Sequence, residues 1–362
     1  MASVVYFNQW FSSITAVIED IKKKYGENIY IIASSKNENH VYKTAVDKFI
    51  VEDWESAAET SVSMKNYVDY VLNLCKENKV DIFFVRKNSK YVAQRRDEFE
   101  ALGVKVLTED FDTLELIDKK HKVYEHLINE GMEEIIPKFF NTTDMDEDTA
   151  RDKIEDVALN SGKNGNPKWC LKLASDEGGC SFRVIDAEPN ISMDSLRAFR
   201  INRLSGNEVL SLINGASKKS WDRLMFMEVL KSPEISVDCY NSSKGFVAIC
   251  RSKIEGRFQK LYFNEQLYNY CKTICNIFGL KNPFNVQFRV VDGGSPDEVS
   301  DLRLLEINAR MAGGTYYAAL FDMNICELCL KDQLGTITEA DVAKYINFDT
   351  KYVTHVERAI KL

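Results

Sequence analysis

Three polar side chains alternate with apolar ones in the segment Leu304-Leu-Glu-Ile-Asn-Ala-Arg-Met-Ala-Gly-Gly314. Alternation with a period of two is typical of a β-strand, so Glu306, Asn308 and Arg310 are predicted to project to one side of it. Carboxylate and amide oxygens are ligands of the kind that Mg²⁺ takes, and a guanidinium is a planar partner for a phosphate oxygen. The glycine pair that follows permits a tight turn or a close approach of the backbone to a ligand. The segment therefore favours a metal and phosphate site over the polar outer face of an edge strand.

A single lysine stands in an apolar segment further up the chain, Trp169-Cys-Leu-Lys-Leu-Ala174, and Gly178-Gly179 follows in a polar loop. The amine of Lys172 can neutralise nucleotide phosphates, and backbone amides of a loop of glycine and serine, including Ser181, can surround a terminal phosphate. A plain hairpin loop has the same local pattern, but the flanking motifs favour phosphate binding.

The segment Phe226-Met-Glu-Val-Leu-Lys-Ser-Pro-Glu-Ile-Ser-Val-Asp-Cys239 predicts a strand, a turn at Ser232-Pro233 and a second strand. A purine pocket requires apolar walls and one edge that hydrogen-bonds to the backbone, and Met225, Phe226 and Leu230 are candidates for the walls. Without its neighbouring motifs, this segment would be better explained as an ordinary hairpin with exposed acids.

Short apolar strands alternate with amphipathic helices in about the first hundred residues. This alternation predicts a doubly wound parallel sheet, and no glycine-rich dinucleotide turn follows the first strand. Arg86 follows the fourth strand, at the edge where ligands bind in such sheets, although a solvated loop arginine is an equally good interpretation. The strands are predicted at 4–7, 29–32, 49–51, 82–85 and 104–107, and the helices at 13–25 and 61–78.

The later part of the chain changes character twice. A helix is predicted from 119 to 131, a smaller α+β unit from 153 to 226, and a strand-rich part from 227 onward. We therefore expect a fold of the α/β and α+β classes with domains at 1–115, 116–226 and 227–362.

Composition limits the possible functions. A chain of 362 residues with 45% hydrophobic content can bury a sizeable core, and its net charge of −8 argues against a nucleic-acid partner. The absence of a membrane-length apolar run and of a signal peptide predicts a cytoplasmic protein without a membrane partner. Nine scattered cysteines and four histidines form no ligand pattern beyond the isolated Cys326-Glu-Leu-Cys329, so reduced thiols are expected.

The sequence Glu306-Ile-Asn-Ala-Arg310 followed by two glycines resembles the metal-binding strand of the ATP-grasp superfamily, which includes carbamoyl phosphate synthase and biotin carboxylase. The resemblance implies an N-terminal pre-ATP-grasp domain, followed by a two-part ATP-grasp domain with a small lid and ATP between its two parts. It also implies that Gln287, Glu306 and Asn308 hold Mg²⁺, with Mn²⁺ as an alternative. Gln287 replaces the acid of many members, which puts a second metal ion in doubt.

The resemblance also implies the nucleotide contacts. Phosphates would be contacted by Lys119 (or Lys120, one position along) and Lys172, and covered by the lid residues Gly178, Gly179 and Ser181. Adenine would meet Glu228 and the backbone of Val229 and Leu230, and ribose would meet Glu234. Arg251, with Arg257 as a second candidate, matches groups near the transferred phosphate or substrate carboxylate; solvated hairpin charges are an equally good interpretation.

The implied activity is that of an ATP-dependent carbon–nitrogen ligase, most similar to the carbamoyl phosphate synthase large-subunit type. A small-molecule carboxylate would be phosphorylated by ATP, and an amine or thiol would attack the acyl phosphate. Lys172, Arg251 and Arg310 would be the catalytic residues, and a homodimer is expected. Two alternatives remain: a regulatory protein that binds nucleotide without turnover, which Gln287 favours, and a phosphotransferase that stops at the phosphorylated product.

Overall fold

Three β-sheets and a set of mostly short helices make up the fold. The computed structural model describes residues 2–54, 61–174, 181–186, 202–255 and 258–355. The strands are β1 (Ser3–Asn8), β2 (Ile29–Ser35), β3 (Lys48–Val51), β4 (Ile82–Phe84), β5 (Lys105–Leu107), β6 (Phe139–Asn141), β7 (Trp169–Leu173), β8 (Arg183–Asp186), β9 (Arg203–Ser205), β10 (Leu224–Glu228), β11 (Lys231–Ser242), β12 (Gly245–Glu255), β13 (Phe258–Tyr262), β14 (Phe284–Val290), β15 (Leu302–Asn308) and β16 (Lys351–Thr354). The helices are α1 (Ile14–Tyr25), α2 (Ser61–Glu77), α3 (Ser89–Gln94), α4 (Arg96–Glu100), α5 (Phe111–Ile117), α6 (Lys120–Asn129), α7 (Glu147–Asn160), α8 (Gly206–Ile213), α9 (Lys218–Trp221), α10 (Glu265–Phe278), α11 (Tyr316–Ala319), α12 (Ile325–Gln333) and α13 (Glu339–Ala343).

The first sheet is parallel, with the strand order β3-β2-β1-β4-β5. Alternation along β1 sends Val5 and Phe7 into one apolar cluster with α1, while Tyr6 joins the cluster that contains α2. Both faces of the sheet are therefore covered, and the predicted doubly wound α/β fold is confirmed.

The second sheet, with the order β6-β10-β7-β8-β9, is mixed. One face packs against α7 and α8 through a cluster that includes Phe140, Leu171 and Phe226. Phe226 stacks on Phe140 with ring centroids 4.7 Å apart. Residues of the opposite parity, such as Cys170 and Met227, project to the other face and form a second, smaller cluster. The prediction that Phe226 forms a wall beside Met225 and Leu230 is therefore wrong, because its position along β10 turns it to the helix side.

The third sheet has the order β15-β14-β11-β12-β13-β16. The turn predicted at Ser232-Pro233 is wrong, since both residues belong to β11, and the interruption after β10 falls at 229–230. Val229 donates its backbone N–H to Lys168 O at 2.7 Å, which extends the antiparallel register of β10 with β7 by one residue. Proline is tolerated near the start of a strand, where a missing donor disturbs little pairing.

The strand that carries the Glu-Ile-Asn sequence ends at Asn308. Arg310 therefore lies in the bend after β15 and does not continue its alternation, contrary to the prediction. Local hydrogen bonds from Thr315 N to Ala312 O and from Tyr317 N to Gly314 O curl this segment into α11. Glu306 and Asn308 keep the predicted common side of the strand.

The chain divides into two compact units. Unit 1 comprises Met1–Glu115, Ile235–Gln287 and Ile307–Leu362, and unit 2 comprises Leu116–Glu234 and Phe288–Glu306. The three-domain division expected from the sequence stays a prediction. Among the described helices, none is long and apolar enough to span a membrane.

The cysteines of the described ranges are free and buried. Burial raises the pKa of the thiols of Cys75 and Cys170 to about 12, so they are poor metal ligands and nucleophiles. The described residues also contain no group of three His, Cys, Asp or Glu side chains suited to a metal ion.

Candidate nucleotide and metal site

The amine of Lys172 is buried within unit 2. β7 places this lysine opposite Met225, on the same face of the sheet as Cys170, and its side chain is only 8% exposed. Burial, together with the positive charge of Lys120, lowers its pKa from 10.5 to about 8, although Cys170 and Glu306 oppose this shift. A buried ammonium beside a second lysine is costly unless an anion approaches it. Lys172 is thus placed to gain from a bound phosphate.

Glu306 supplies the acidic member of the same group of side chains. Its Oε2 lies 3.3 Å from Lys120 Nζ, in an ion pair whose side chains are both partly exposed. Lys119 is the N-cap residue of α6 and is more exposed than Lys120. Lys120, the alternative considered from the sequence, thus forms an ion pair with Glu306, and the phosphate contacts of Lys119 and Lys120 stay predictions. Two ammonium groups and one carboxylate leave this cluster, Lys120, Lys172 and Glu306, with a net positive charge suited to phosphate.

Tyr124 fixes the backbone that carries Glu306. This fully buried residue of α6 places its hydroxyl 3.0 Å from Leu304 O and 2.8 Å from Leu305 O. Burial, with the nearby charge of Glu306, raises the pKa of Tyr124, so the hydroxyl stays a donor. Sequence reasoning missed this residue, because an aromatic on the apolar face of a helix gives no sign of a partner 180 residues away.

A small apolar surface lies on the same sheet face as Lys172. It consists of the buried residues Cys170, Met227 and Leu230, with partly buried side chains packed against them. Leu230 and Met227 thus belong to this apolar surface, whereas Phe226 does not, and their contact with adenine stays a prediction. The partly buried members are Phe139, Phe182, Val229, Val291 and Leu305. An apolar wall on the same sheet face as a buried ammonium group is the combination that a purine nucleotide requires.

Two predicted acids are engaged in bonds that hold unit 2 together. Glu228 accepts the Lys138 backbone N–H at 2.9 Å through Oε1 and donates its own N–H to Lys138 O, which joins β6 to β10. Glu234 Oε2 lies 3.5 Å from Arg289 Nη2, a residue that the sequence did not single out. Ligand contacts by these acids stay predictions and would have to coexist with these bonds.

In unit 1, Arg251 is the largest fully buried side chain. Its Nε donates to Asp238 Oδ2 at 2.6 Å, and its other nitrogens donate to Gln259, Ser236 and Asp238 Oδ1. Asp238 also accepts bonds from Asn285 and Thr315. This arginine is enclosed by partners on the neighbouring strands β11 and β13, so the alternative of a solvated hairpin charge is wrong for Arg251. Its predicted contact with the transferred phosphate is not tested.

The remaining candidates of unit 1 lie on β14, on β15 and just beyond it. Gln287 donates to Asn285 Oδ1 at 3.4 Å through its amide nitrogen. Arg310 has its guanidinium carbon 5.0 Å from the centre of the Phe11 ring.

Ser181, of unit 2, accepts the Leu173 backbone N–H at 2.9 Å. Gly178, Gly179 and Arg257 lie outside the described residues.

The two glycines after Arg310 have different neighbours, and this gives a matched pair of substitutions. A Cβ on Gly314 would lie 2.3 Å from Arg251 Nη1, whereas one on Gly313 would have its nearest neighbour 3.8 Å away. Arg251 cannot withdraw without breaking its buried bonds to Asp238. We therefore expect Gly314→Ala to destabilise the protein by about 1–3 kcal/mol and Gly313→Ala to change stability little. Urea unfolding of both variants tests this, and equal midpoints would contradict the close approach.

The donor set fits Mg²⁺ by its chemistry. Glu306 and Asn308 project from the same side of β15, and both are partly exposed. Carboxylate and amide oxygens are the hard ligands that Mg²⁺ accepts, together with water and substrate phosphates. Two of the three predicted ligands are amides, so this set differs from a cluster of acidic, histidine and cysteine side chains.

Comparison with known proteins bears on the fold. Residues 220–356 match the family model described as ATP-grasp in the biosynthetic pathway with Ter operon. The biotin carboxylase domain of 2-oxoglutarate carboxylase from Hydrogenobacter thermophilus superposes with a TM-score of 0.61 at 13% identity, covering 94% of this chain and 72% of that one. The chain has the ATP-grasp fold.

Two further ATP-grasp structures resemble the chain over most of its length. L-amino acid ligase from Bacillus licheniformis gives a TM-score of 0.62 at 12% identity, covering 97% of this chain and 79% of that one. N5-carboxyaminoimidazole synthetase from Staphylococcus aureus gives 0.60 at 12% identity, covering 92% and 78%. Comparison with curated protein sequences finds no significant match. The resemblance inferred from the Glu-Ile-Asn strand is thus confirmed at the level of the fold.

Proposed function

We propose that this protein is an ATP-dependent ligase that phosphorylates a small-molecule carboxylate and couples it to an amine or thiol. The observation that carries the proposal is the cluster of Lys120, Lys172 and Glu306, in which Lys172 lies on the sheet face that also bears the apolar surface. This combination suits a nucleoside triphosphate because it offers positive charge to the phosphates and apolar contact to the base. The ATP-grasp fold supports the proposal at a coarser level.

Each residue would act through charge or position, and no side-chain nucleophile is required. Lys172 and Lys120 would neutralise phosphate oxygens. The side chain of Lys172 is buried, and that of Lys120 is partly exposed. The carbonyl of Val229 and the amide of Leu230 would meet the adenine edge, since the Val229 N–H is already bonded to Lys168. Arg310 would bind the anionic end of the substrate that accepts the phosphate.

Glu306, Asn308 and Gln287 would hold Mg²⁺, with Mn²⁺ as a possible substitute. The metal, when bound, would polarise the γ-phosphate and offset its charge. Tyr124 would keep the backbone of β15 in place through its bonds to Leu304 and Leu305 carbonyls, so that Glu306 does not drift when the charge in the site changes.

The proposal is tested by ADP formation with purified protein, ATP and Mg²⁺ across a panel of carboxylates and amines. We expect ADP only when a carboxylate and an amine or thiol are both present, and calorimetry to detect binding of a non-hydrolysable ATP analogue. Binding without ADP formation would support the regulatory alternative, and ADP formation with a carboxylate alone would support the phosphotransferase. The absence of nucleotide binding would contradict all three.

A further inference from the structure

Arg86 is held in a defined position at the carboxyl edge of the parallel sheet. Its backbone N–H donates to Asn8 Oδ1 at 2.7 Å, and its Nη1 donates to Gln9 O at 2.5 Å. Asn8 is fully buried and donates to Tyr67 and to the Lys87 carbonyl, so it offers a rigid support. An arginine fixed at both its backbone and its side chain differs from a mobile surface arginine, because it loses little freedom on binding a ligand.

A buried carboxylate fixes Gln9 in turn. Gln9 has a φ of 45°, a left-handed conformation that is uncommon for a residue with a side chain. Its amide nitrogen donates to Glu52, which also accepts bonds from Ser34 at 2.6 Å and Trp54 at 2.8 Å. Glu52 is itself only 5% exposed. Glu52 therefore positions Gln9, and Gln9 positions the guanidinium of Arg86.

A second arginine shares the same aromatic ring. The guanidinium carbon of Arg86 lies 4.0 Å from the centre of Phe11, and that of Arg310 lies 5.0 Å from it. Two guanidinium groups at one partly exposed ring make this region positive, which favours an anionic ligand. Each guanidinium presents a planar fork suited to a carboxylate or phosphate.

The topology places this pair where ligands bind in open α/β sheets. The strand order β3-β2-β1-β4-β5 reverses direction between β1 and β4. Asn8 ends β1, and Arg86 follows the end of β4 by two residues, so both lie outside the carboxyl ends at the switch point. Trp10 and Phe11 also line a shallow cavity with Met311 and Tyr316, within the same unit.

We propose that Arg86, on the Phe11 ring beside Arg310, binds a second anionic group of the non-nucleotide substrate. The preferred substrate then carries two anionic ends, one carboxylate that meets Arg310 and reacts, and one carboxylate or phosphate that meets Arg86. This rests on the proposed ligase function for the role of the reacting end. The apolar ring that both guanidinium groups contact suits a short carbon chain between the two anions.

Calorimetry with three series of probes tests the subsite, both without nucleotide and with a non-hydrolysable ATP analogue and Mg²⁺. The series are the diacids succinate, glutarate and adipate, the monoacids of equal carbon number, and 4-phosphonobutyrate. We expect one diacid or the phosphonate to bind at least about tenfold more tightly than its monoacid, because the free energy of one charged hydrogen bond corresponds to about that ratio of dissociation constants. The tighter of glutarate and 4-phosphonobutyrate identifies the anion.

Arg86→Met should remove this preference while leaving the monoacid and the ATP analogue unaffected, and Arg86→Lys should keep part of it. Lys43→Met is the control, because it removes one exposed positive charge from the same unit. A wild-type protein without diacid or phosphonate preference, or a preference that survives Arg86→Met, would overturn the proposal. Binding of the ATP analogue separates failure of the ligase function from failure of the subsite. If the analogue does not bind but the preference for the diacid or phosphonate depends on Arg86, the ligase function is contradicted and the subsite is supported.

Discussion

Glu306→Gln is expected to reduce ADP formation by at least about 100-fold while the protein remains folded. Glu306 is the one carboxylate among the three predicted metal ligands, so the substitution removes the whole negative charge of that set. Its side chain is partly exposed and does not belong to an apolar core. The Tyr124 hydroxyl, which bonds to the Leu304 and Leu305 carbonyls, holds β15 independently of Glu306. The loss should therefore fall on metal binding and not on folding.

Nucleotide affinity should separate the role of the metal from that of the lysines. The carboxylate lies 3.3 Å from Lys120 Nζ and also affects the charge of Lys172, so it competes with phosphate for the same ammonium groups. Without Mg²⁺, Glu306→Gln should bind an ATP analogue at least as tightly as wild type. With Mg²⁺, the increase in affinity seen in wild type should be largely lost.

Glu125→Gln is the matched control for this comparison. Glu125 also pairs with a lysine of unit 2, Lys122, at 3.0 Å, but on the exposed side of α6. Its loss should change neither metal-free nor metal-dependent affinity, because exposed ion pairs contribute little. If Glu306→Gln keeps the full enhancement by Mg²⁺, Glu306 is not a metal ligand and the interpretation of the Glu-Ile-Asn strand fails.

The local pattern of the sequence was enough to predict the strands of the parallel sheet and the strand that carries the acid. Alternation along 302–308 predicts β15 with Glu306 and Asn308 on a common side, and apolar strands alternating with helices predict the parallel sheet. These features depend on neighbours in the chain, which the sequence shows directly. The sheet face that each residue occupies was harder to predict from the sequence. Phe226 and Met227 are both apolar, and only the register against β7 and the position of α7 and α8 assign them to opposite faces.

Contacts between distant segments could not be predicted from the sequence. Arg251 lies on β12 opposite Ser236 of β11, and the resulting ion pair with Asp238 depends on that register. Tyr124 and Arg289 were missed for the same reason, since their partners are set by tertiary packing. The ion pair of Lys120 with Glu306 depends on the residue at which α6 begins, and a helix boundary is hard to fix to one position from sequence.

Lys172→Met is expected to stabilise the ligand-free protein and to remove most of its stabilisation by ATP analogue and Mg²⁺. Burial holds the pKa of Lys172 at about 8, below its ordinary 10.5, which means that the charged amine is disfavoured in the folded state. A methionine of similar length removes this cost, for a gain on the order of 1–3 kcal/mol at pH 7. The same substitution removes a charged partner of the phosphates.

The pH dependence of the wild-type protein follows from the same pKa. Between pH 8 and 10.5 the unfolded chain binds a proton on this lysine that the folded chain does not, so the contribution of Lys172 to stability rises with pH across that range. Below pH 8 both states carry the proton, and the full cost of burying the charge is present. Affinity for the ATP analogue should change in the opposite direction, falling above pH 8 as the amine loses its charge.

Thermal unfolding of wild type and Lys172→Met from pH 7 to 10, with and without the ATP analogue and Mg²⁺, measures both effects. Lys153→Met is the control, because Lys153 is exposed on α7 and lies over Phe140 on the helix side of the sheet. It should neither stabilise the ligand-free protein nor alter the gain from nucleotide. If Lys172→Met retains the full nucleotide-dependent gain, Lys172 does not contact the phosphates, and the ammonium that does must be sought elsewhere, first at Lys120, which shares its cluster.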